Sequence, residues 1–368
     1  MYRTAGYVPA AGREAGNSSV TFPAPFHMLE VVQTSREHET SPGFSITTGG
    51  SIDNPILVDS GMLYFGACDH NFYALDAAGR EHWRFRTQGP VICPAVMAAD
   101  AIIFGSFDKH IYALGRDGKL LWKFATDGSI MGRPAVHRGI VYFGSEDRNL
   151  YAVSLDGRLL WKFPTNGPIG SHILAHADTV YCGSFDGNVY ALTLDGRLLW
   201  KFPTNGAVGS PQASGSTIVF GSHDGNLYAI GLDGRLKWKF PTQGPIRAWQ
   251  PGIIDNVVYF GSLDNNFYAL DLDGRLLWKF ATKDYSVCPP ARYLDTLYFP
   301  CSDGNLYALD LDGKLKWKFE TKGLVIGTPG FGDGKVFFGS WDCNLYCLDR
   351  DGKLLWKFMT SIATPSSI

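Results

Sequence analysis

The stretch that decides the fold is residues 221–246, which read GSHDGNLYAIGLDGRLKWKFPTQGPI. Near-copies of this stretch occur eight times along the chain, and each copy contributes one tryptophan at the same place. Consecutive tryptophans of this set are separated by 38 to 40 residues. A fixed period of about 40 residues with several short strands per repeat predicts a β-propeller. The eight tryptophans are Trp83, Trp122, Trp161, Trp200, Trp238, Trp278, Trp317 and Trp356.

Each copy divides into four predicted strands. In the third copy, residues 140–143 and 149–153 are apolar at nearly every position, which is typical of strands buried on both faces. Asp156-Gly157 predicts a tight hairpin turn, and residues 159–163 then form the outer strand. The sequence therefore predicts an all-β protein, an eight-bladed β-propeller of four-stranded antiparallel blades over residues 44–368.

Residues 1–43 lie outside the repeat and are predicted to form a short N-terminal arm. Within the arm, residues 22–29 read FPAPFHML, an apolar and proline-rich stretch that we expect to dock on the ring or on a partner. Residues 44–50 resemble a degraded copy of the outer strand and its following loop. We therefore predict an additional strand at the seam between the first and last blades, because propellers protect their sheet edges.

Composition and charge exclude several classes of function. The formal net charge of −2 favours neither nucleic acid nor an anionic membrane as a partner, and no apolar run is long enough to span a membrane. The first residues contain no apolar signal core and no lipid-attachment cysteine, so we expect a cytoplasmic monomer. The cysteines are odd in number and out of register with the repeat, which argues against a disulfide framework. They are Cys68, Cys93, Cys182, Cys288, Cys301, Cys343 and Cys347.

The runs at 221–230 and 236–240 resemble the quinoprotein (PQQ-like) β-propeller repeat, and the resemblance covers residues 44–368. It implies the propeller fold. Quinone-dependent dehydrogenases of that family carry a vicinal cysteine pair, and this chain has no adjacent cysteines. The chain is therefore similar to the cofactor-free members, which act as protein-binding scaffolds. We expect no quinone cofactor and no PQQ-dependent dehydrogenase activity.

Two patterns that suggest a metal site have simpler explanations. His172 and His176 are four residues apart, but this spacing covers about 13 Å along a strand, so they cannot share one ion. An aspartate recurs in the G-S-x-D loop of all eight copies, which indicates hydrogen bonding within the turn rather than a calcium site. These aspartates are Asp69, Asp108, Asp147, Asp186, Asp224, Asp264, Asp303 and Asp342.

The candidate binding site comes from positions where the copies differ. After the glycine of each loop that follows the outer strand, the chain returns to the propeller axis, and six of eight copies carry an unusual side chain there. Arg247 would hold a carboxylate or phosphate, and Trp249 would stack on a flat ring, so we expect an anionic, partly aromatic ligand. His172 would form an acid/base pair with Asp53 or Asp284. The other candidates at this mouth are Asn54, Cys93, Arg133, Tyr285 and Cys288.

The residue that precedes each loop aspartate is predicted to lie on the same rim. Phe107, Phe185, Leu263 and Trp341 occupy this position in four copies and make the rim apolar. Exposed aromatic patches mark binding surfaces. We therefore add Phe185 and Trp341 to the candidate binding residues.

Two functions remain open. One is a binding or scaffold propeller that holds a partner protein, peptide or small molecule at its funnel mouth and aromatic rim. The other is a quinone-independent enzyme with its pocket in the funnel, an isomerase, lyase, cyclase or hydrolase that uses His172, Asp284, Tyr285 and Arg247. Propellers host both kinds of function. We favour the first because sequence spacing assembles no complete catalytic set.

Overall fold

The computed structural model describes residues 50–246, 251–286 and 288–360, and these residues form eight four-stranded antiparallel sheets. Each sheet is built from four consecutive strands, so one sequence repeat makes one blade of the propeller. The predicted fold class is confirmed. The N-terminal arm and residues 44–49 of the predicted seam strand lie outside the described residues.

Each blade runs from a short innermost strand to an outer strand at the circumference. The innermost strands are β1 Leu57–Asp59, β5 Val96–Ala98, β9 Ala135–His137, β13 Leu174–His176, β17 Gln212–Ser214, β21 Gly252–Ile254, β25 Ala291–Tyr293 and β29 Gly330–Gly332. The second strands are β2 Met62–Gly66, β6 Ala101–Gly105, β10 Ile140–Gly144, β14 Thr179–Gly183, β18 Thr217–Gly221, β22 Val257–Ser262, β26 Thr296–Pro300 and β30 Lys335–Gly339. The third strands are β3 Asn71–Asp76, β7 His110–Gly115, β11 Asn149–Ser154, β15 Asn188–Thr193, β19 Asn226–Gly231, β23 Asn266–Asp271, β27 Asn305–Leu309 and β31 Asn344–Asp349. The outer strands are β4 Glu81–Arg86, β8 Leu120–Ala125, β12 Leu159–Pro164, β16 Leu198–Pro203, β20 Leu236–Pro241, β24 Leu276–Ala281, β28 Leu315–Glu320 and β32 Leu354–Met359.

The core lies between the blades, as the apolar middle strands predict. One buried cluster fills each of the eight interfaces between neighbouring blades. For example, Val141 and Phe143 of β10 pack against Ile103 of β6 in the interface between the second and third blades. Because every sheet is covered on both faces, the middle strands are buried at almost every residue.

The repeated tryptophan joins neighbouring blades at the circumference. Trp122 lies against Gly157 of the next blade, and its Nε1–H donates to the Leu155 carbonyl oxygen at 2.6 Å. Gly157 has a φ of +83°, and an added Cβ there would lie 2.8 Å from the Trp122 ring. Glycine is therefore required both by the backbone conformation and by the ring. We call this contact, which recurs in all eight copies, the tryptophan latch.

The ring closes through the same contacts that join the other blades. Trp356 of the last blade donates to the Ala77 carbonyl oxygen of the first blade at 3.3 Å. Thr360 Oγ1 donates to the Gly50 carbonyl oxygen at 2.7 Å, and Ile52 N donates to the Ser340 carbonyl oxygen at 3.3 Å. A buried cluster that contains residues of both blades fills the seam. Within the described residues, no helix is long and apolar enough to cross a membrane.

The outer strands leave leucines in contact with solvent, which the sequence analysis did not predict. Five copies carry two leucines before the tryptophan, and the fifth and seventh copies carry Leu-Lys. In the third blade, Leu159 pairs with Val153 and Trp161 with Ala152, so Leu160 is the extra residue of a β-bulge at the sheet edge, and both leucines stay exposed. The exposed leucines of the outer strands are Leu120, Leu121, Leu159, Leu160, Leu198, Leu199, Leu236, Leu276, Leu277, Leu315, Leu354 and Leu355.

Candidate functional site

The segments that lead from the returning loops into the innermost strands enclose a cavity at the propeller axis. We call them the axial segments. The cavity opens to solvent and has a volume of about 10 Å³, which is room for about one water molecule. Its lining comes from the first, second, fourth, seventh and eighth blades. Since the fourth and eighth blades lie opposite each other in a ring of eight, the cavity crosses the axis. The lining residues are Asp53, Pro55, Ile92, Pro94, His172, Cys288, Pro289 and Thr328.

Asp53 is the acidic residue of this lining. The residue is half-buried, and its Oδ1 atom is fully buried and has no hydrogen-bond partner. Its Oδ2 atom lies 3.7 Å from Cys68 Sγ. Burial raises the pKa of the Asp53 carboxyl to about 6, although hydrogen bonds from Ser51, Cys68 and Trp341 oppose the shift. Asp53 therefore changes its charge close to neutral pH.

His172 reaches the same cavity from the fourth blade, three blades away from Asp53. Its main-chain N donates to Ser210 Oγ of the fifth blade at 2.7 Å. The adjacent Ile173 N donates to the Arg133 carbonyl oxygen of the third blade at 3.1 Å. Two neighbouring blades thus fix the backbone at His172, and the residue is buried. The structure brings the predicted pair of His172 and Asp53 to one cavity.

Cys288 lines the cavity as a buried thiol. Burial raises its pKa to about 12, so it is protonated at neutral pH and is a weak nucleophile. Beside it, Thr328 Oγ1 donates to the Pro289 carbonyl oxygen at 3.1 Å, which ties the seventh and eighth blades together. All seven cysteines of the chain are free thiols.

Asn54 and Cys93 are turned away from the cavity. They follow Asp53 and Ile92, and successive side chains of an extended segment point in opposite directions. The buried Asn54 amide faces main-chain atoms of Val91 and Gly66, and Cys93 Sγ donates to the Gly132 carbonyl oxygen at 3.2 Å. Both side chains therefore join neighbouring axial segments and are not presented to a ligand in the cavity.

Asp284 and Tyr285 also lie outside the lining of the cavity. Asp284 occupies the position at which the other returning loops carry a glycine. In those loops the position is crowded; at Gly89, for example, an added Cβ would lie 2.7 Å from Asp108 N. The Asp284 carboxylate accepts from Tyr285 N at 2.8 Å, so it is used within its own loop. Tyr285 is half-buried beside it. The structure does not bring Asp284 to His172 at the axial cavity.

Three further candidates were predicted for the mouth of the funnel. Arg133 is exposed, and desolvation by the surrounding protein nevertheless lowers its pKa. An exposed group that protein surrounds on most sides lies in a concave surface. Arg247 and Trp249 lie outside the described residues, so their predicted role in binding an anionic, aromatic ligand stays a prediction.

The predicted apolar rim is partly exposed. Trp341 has 39% of its surface exposed, whereas Phe107, Phe185 and Leu263 are half-buried. The Phe185 ring lies 6.4 Å from the ring of His223, which occupies the same position in the next blade. The Trp341 side chain also lies close enough to Asp53 to lower the pKa of its carboxyl. The rim and the axial cavity therefore adjoin at Trp341.

The loop aspartates have the structural role that the sequence predicts. Asp147 Oδ1 accepts from Asn149 N at 3.0 Å, and its Oδ2 accepts from the Tyr151 hydroxyl at 2.7 Å. The Asp127 main-chain N of the preceding loop also donates to Oδ2 at 3.1 Å. All eight copies make the first two contacts. The described residues contain no cluster of three or more metal-ligating side chains.

Sequence analysis missed several lining residues, namely the prolines, Ile92 and Thr328. A signal for them exists in the repeat. Pro55, Pro94, Pro289 and Thr328 are each five residues after the position of the loop glycine, the position that His172 also occupies. An alignment of the eight copies at this position identifies most of the lining residues. A choice of residues by the reactivity of their side chains identifies only part of them.

Comparisons with known proteins agree with this architecture. The sequence profile described as outer membrane protein assembly factor BamB matches residues 37–129, 69–205, 107–238 and 185–323. No curated protein sequence matches the chain significantly.

Solved structures that are similar to the chain include a designed protein and a bacterial one. The computationally designed Ika8 protein has a TM-score of 0.71 at 18% identity, over 85% of this chain and 98% of its own. BamB from Moraxella catarrhalis has a TM-score of 0.66 at 16% identity, over 81% of this chain and 95% of its own. At these identities the similarity concerns the fold.

Proposed function

Because this chain belongs to the PQQ-like propeller family of the outer membrane protein assembly factor BamB, we propose that it is a binding scaffold whose partner docks on the axial face. The observation that carries the proposal is the junction of two unlike features on that face. An exposed tryptophan, Trp341, adjoins a small cavity that holds a buried carboxylate, Asp53.

The chemistry of this face suits a partner protein or peptide. Trp341 supplies a large, partly exposed apolar surface, and the half-buried Phe107 and Phe185 occupy the equivalent position two and four blades away. Tryptophan is enriched among the residues that dominate binding energy at protein interfaces. The cavity has room for about one water-sized group, so it would receive only the tip of a partner side chain.

The charge at Asp53 supports a functional role for the cavity. The eightfold scaffold repeats without a carboxylate at this position in the other copies, so the fold itself does not require one. An ionised carboxylate in a desolvated place also destabilises the folded state. Groups with such shifted pKa values cluster at functional sites.

The test is a selection of binding peptides from a random library on the immobilised wild-type protein. The recovered peptides are then measured against Trp341→Ala, Phe185→Ala and a matched control, Leu199→Ala. Leu199 is 52% exposed but lies on the outer strand, away from the axial face. We expect Trp341→Ala to weaken binding about tenfold or more and the control to change it less than twofold. Equal binding to all three variants would contradict the proposal.

A second candidate function is favoured by one specific observation. Asp53 and His172 line the same cavity, and the Asp53 carboxyl titrates close to neutral pH. This arrangement suits acid/base chemistry on a small molecule, whereas the protonated Cys288 thiol does not suit covalent catalysis.

The enzymatic candidate is tested with a metabolite mixture analysed by mass spectrometry. Incubation with wild-type protein is compared with Asp53→Asn, His172→Gln and Arg247→Ala. We expect a substrate to be consumed by the wild type and retained by these variants. If no compound changes, the enzymatic candidate is wrong.

A further inference from the structure

The seam between the last and the first blade is closed without a continuous loop. At the other seven interfaces, the threonine after an outer strand donates through its Oγ1 atom to the main-chain carbonyl oxygen two residues later, at 2.5 to 2.7 Å. That bond lies inside the loop that leads to the next blade. At the seam, Thr360 Oγ1 makes the same bond to Gly50, which is 310 residues away in sequence. A hydrogen bond therefore takes the place of the covalent loop at this interface.

The remaining contacts of the seam are those of every interface, but its latch is the longest. Trp356 Nε1 donates to the Ala77 carbonyl oxygen at 3.3 Å, whereas the other seven latches have distances of 2.6 to 3.0 Å. Ile52 N donates to the Ser340 carbonyl oxygen at 3.3 Å, and the Ile52 side chain packs in a buried cluster with Phe337 of the last blade. Separation of these two blades breaks only non-covalent contacts, so the seam is where local opening of the ring is least constrained.

Asp53 lies directly beside the seam. It follows Ile52 in the first axial segment, and its carboxyl interacts with Trp341 of the last blade as well as with Ser51 and Cys68 of its own. The fold does not require an acid there, because the other described axial segments carry an apolar side chain or a glycine at the equivalent position. These residues are Ile92, Met131, Gly170, Gly209 and Ile326.

The groups in contact with Asp53 do not neutralise its carboxylate. Ser51 and Trp341 are uncharged, and burial raises the pKa of both nearby thiols, Cys68 and Cys288, so that they stay protonated at neutral pH. No lysine or arginine is among the described groups that act on the pKa of Asp53. Its inner oxygen, Oδ1, is also fully buried. The ionised carboxylate is therefore less well stabilised in the closed ring than in water.

Two further titratable residues lie near this carboxyl. His172 of the fourth blade lines the same cavity as Asp53. Asp69 follows Cys68, and its carboxylate accepts from Asn71 N at 3.0 Å and from the Tyr73 hydroxyl. Asp69 is thus held within its own turn, as the loop aspartates of the other copies are.

We propose that the ring opens locally at the seam, and that the ionisation of Asp53 controls this opening. While the carboxyl is protonated, the axial segment around Ile52 and Asp53 stays packed against the last blade. Once the carboxyl is ionised, separation from Trp341 gives it the water that the closed ring withholds. The seam works in this way whether or not a partner docks on the axial face, so this device and the proposed function stand or fall separately.

The direction of the pH dependence follows from the two states of Asp53. Burial raises the pKa of its carboxyl to about 6 in the closed ring, whereas a hydrated aspartate titrates near pH 4. Opening therefore releases a proton between about pH 4 and 6 and is favoured there by rising pH. The opening equilibrium should shift about tenfold towards the open state between pH 5 and 7.5, with little further change above about pH 7.

Hydrogen exchange of the full chain, corrected for the intrinsic rate at each pH, tests the device at single amides. The probe is Ile52 N–H, which donates across the seam to Ser340. The matched control is Ile169 N–H, which makes the equivalent bond to the Ser145 carbonyl oxygen between the third and fourth blades at 3.1 Å. We expect the protection of Ile52 to fall about tenfold between pH 5 and 7.5 and that of Ile169 to change less than twofold. In Asp53→Asn neither amide should respond to pH.

Three outcomes of the exchange experiment would overturn the proposal. Equal losses of protection at Ile52 and Ile169 would mean that the charge acts on unfolding of the whole ring. Unchanged protection of Ile52 would mean that the seam does not open with pH. A tenfold loss that persists in a folded Asp53→Asn variant would assign the titration to another group. The first two outcomes need only the wild-type protein, so they do not depend on the folding of the variant.

Two native cysteines provide a second measurement at constant pH. Cys347 lies in the buried cluster of the seam and Cys182 in the cluster between the third and fourth blades, and both are fully buried. Opening at the seam admits a thiol reagent to Cys347 alone. At pH 7.5 we expect Asp53→Asn to slow the labelling of Cys347 by iodoacetamide about tenfold or more, measured by peptide mass spectrometry, and to change that of Cys182 less than twofold.

The control for the labelling experiment is Asp100→Asn, a surface aspartate with 98% of its side chain exposed. It should label like the wild type at both cysteines. Equal slowing of Cys347 and Cys182 in Asp53→Asn, or no slowing of Cys347, would contradict control of the seam by Asp53.

Discussion

The tryptophan latches and the axial segments are both repeated eight times, but only the latches keep their side chains. Every latch combines a tryptophan, a turn glycine and a main-chain carbonyl oxygen of the next blade, with N···O distances of 2.6 to 3.3 Å. The axial segments place different residues at equivalent positions of the repeat, such as Asp53, Ile92 and Met131. Contacts that hold the ring together constrain side chains, whereas the space at the axis leaves them free to differ.

Neighbouring side chains of the same axial segment also differ in whether they contact other main-chain atoms or face the cavity. Asn54 and Cys93 point between the blades and bond to neighbouring main chains, although their positions vary between copies. Asp53 and Ile92, one residue earlier, face the cavity. Variation between copies therefore does not by itself identify ligand-facing residues, and side-chain direction must be known as well.

The largest effect is expected from removing a latch. Trp161→Ala removes a ring that packs against Gly196 and a hydrogen bond to the Leu194 carbonyl oxygen at 2.9 Å. We expect the free energy of unfolding to fall by about 3 kcal/mol, because a large aromatic contact and its hydrogen bond are lost together. Chemical denaturation measures the change. A loss below about 1 kcal/mol would mean that the latch does not hold the blades.

A glycine pair within the third blade separates the ring contact from backbone strain. Gly157 and Gly139 both have positive φ, at +83° and +76°, but only Gly157 has an aromatic ring, Trp122, within 4 Å of an added Cβ. We expect Gly139→Ala to lower stability by about 1 kcal/mol and Gly157→Ala by about 1–2 kcal/mol more. Thermal and chemical unfolding of the two variants give the difference. Equal losses would show that the latch glycine serves the turn alone.

Removing the charge of Asp53 at the axis should stabilise the protein, whereas removing a latch should destabilise it. Because burial raises the pKa of Asp53 in the folded state above its value in the unfolded chain, stability falls as the pH rises from about 4 to 6. Asp53→Asn removes this charge, so we expect it to raise the free energy of unfolding by about 2 kcal/mol at pH 7.5. The gain should disappear below about pH 4. Unfolding curves across this range measure it, and a destabilised variant at pH 7.5 would contradict the desolvated charge.

The smallest effect on stability is expected at Arg133. The side chain is exposed in the axial opening, so Arg133→Ala should change the free energy of unfolding by less than about 0.5 kcal/mol. Urea denaturation checks this value. A loss comparable to that of Trp161→Ala would mean that the axial face also holds the ring together, and the contrast between the two regions would fail.

Much of the fold could be predicted because its causes are local and repeated. The Asp156-Gly157 turn, the apolar middle strands and the spacing of the tryptophans each indicate one part of a blade. The aspartate of the G-S-x-D loop is a further example, since its bond to the main chain two residues later involves neighbours in sequence. Eight agreeing copies then make the propeller prediction secure.

The site was predicted only in part because it depends on distant segments. Asp53, His172 and Cys288 meet at the axis although more than 100 residues separate each from the next. Cys93 and Cys288 occupy equivalent positions, yet Cys93 bonds to Gly132 and Cys288 lines the cavity. Asp284 looked like a partner of His172 in the sequence but uses its carboxylate within its own loop.

By itself, the sequence determined the number of blades, the strand order within each blade and the turn chemistry that connects them, because these follow from periodic patterns between near neighbours. Only the tertiary structure decided which of the unlike axial side chains share a cavity, which are turned between blades, and that Asp53 is desolvated there. These properties arise because segments of five blades meet at one cavity, where burial and the direction of each side chain are set by residues far away in the chain.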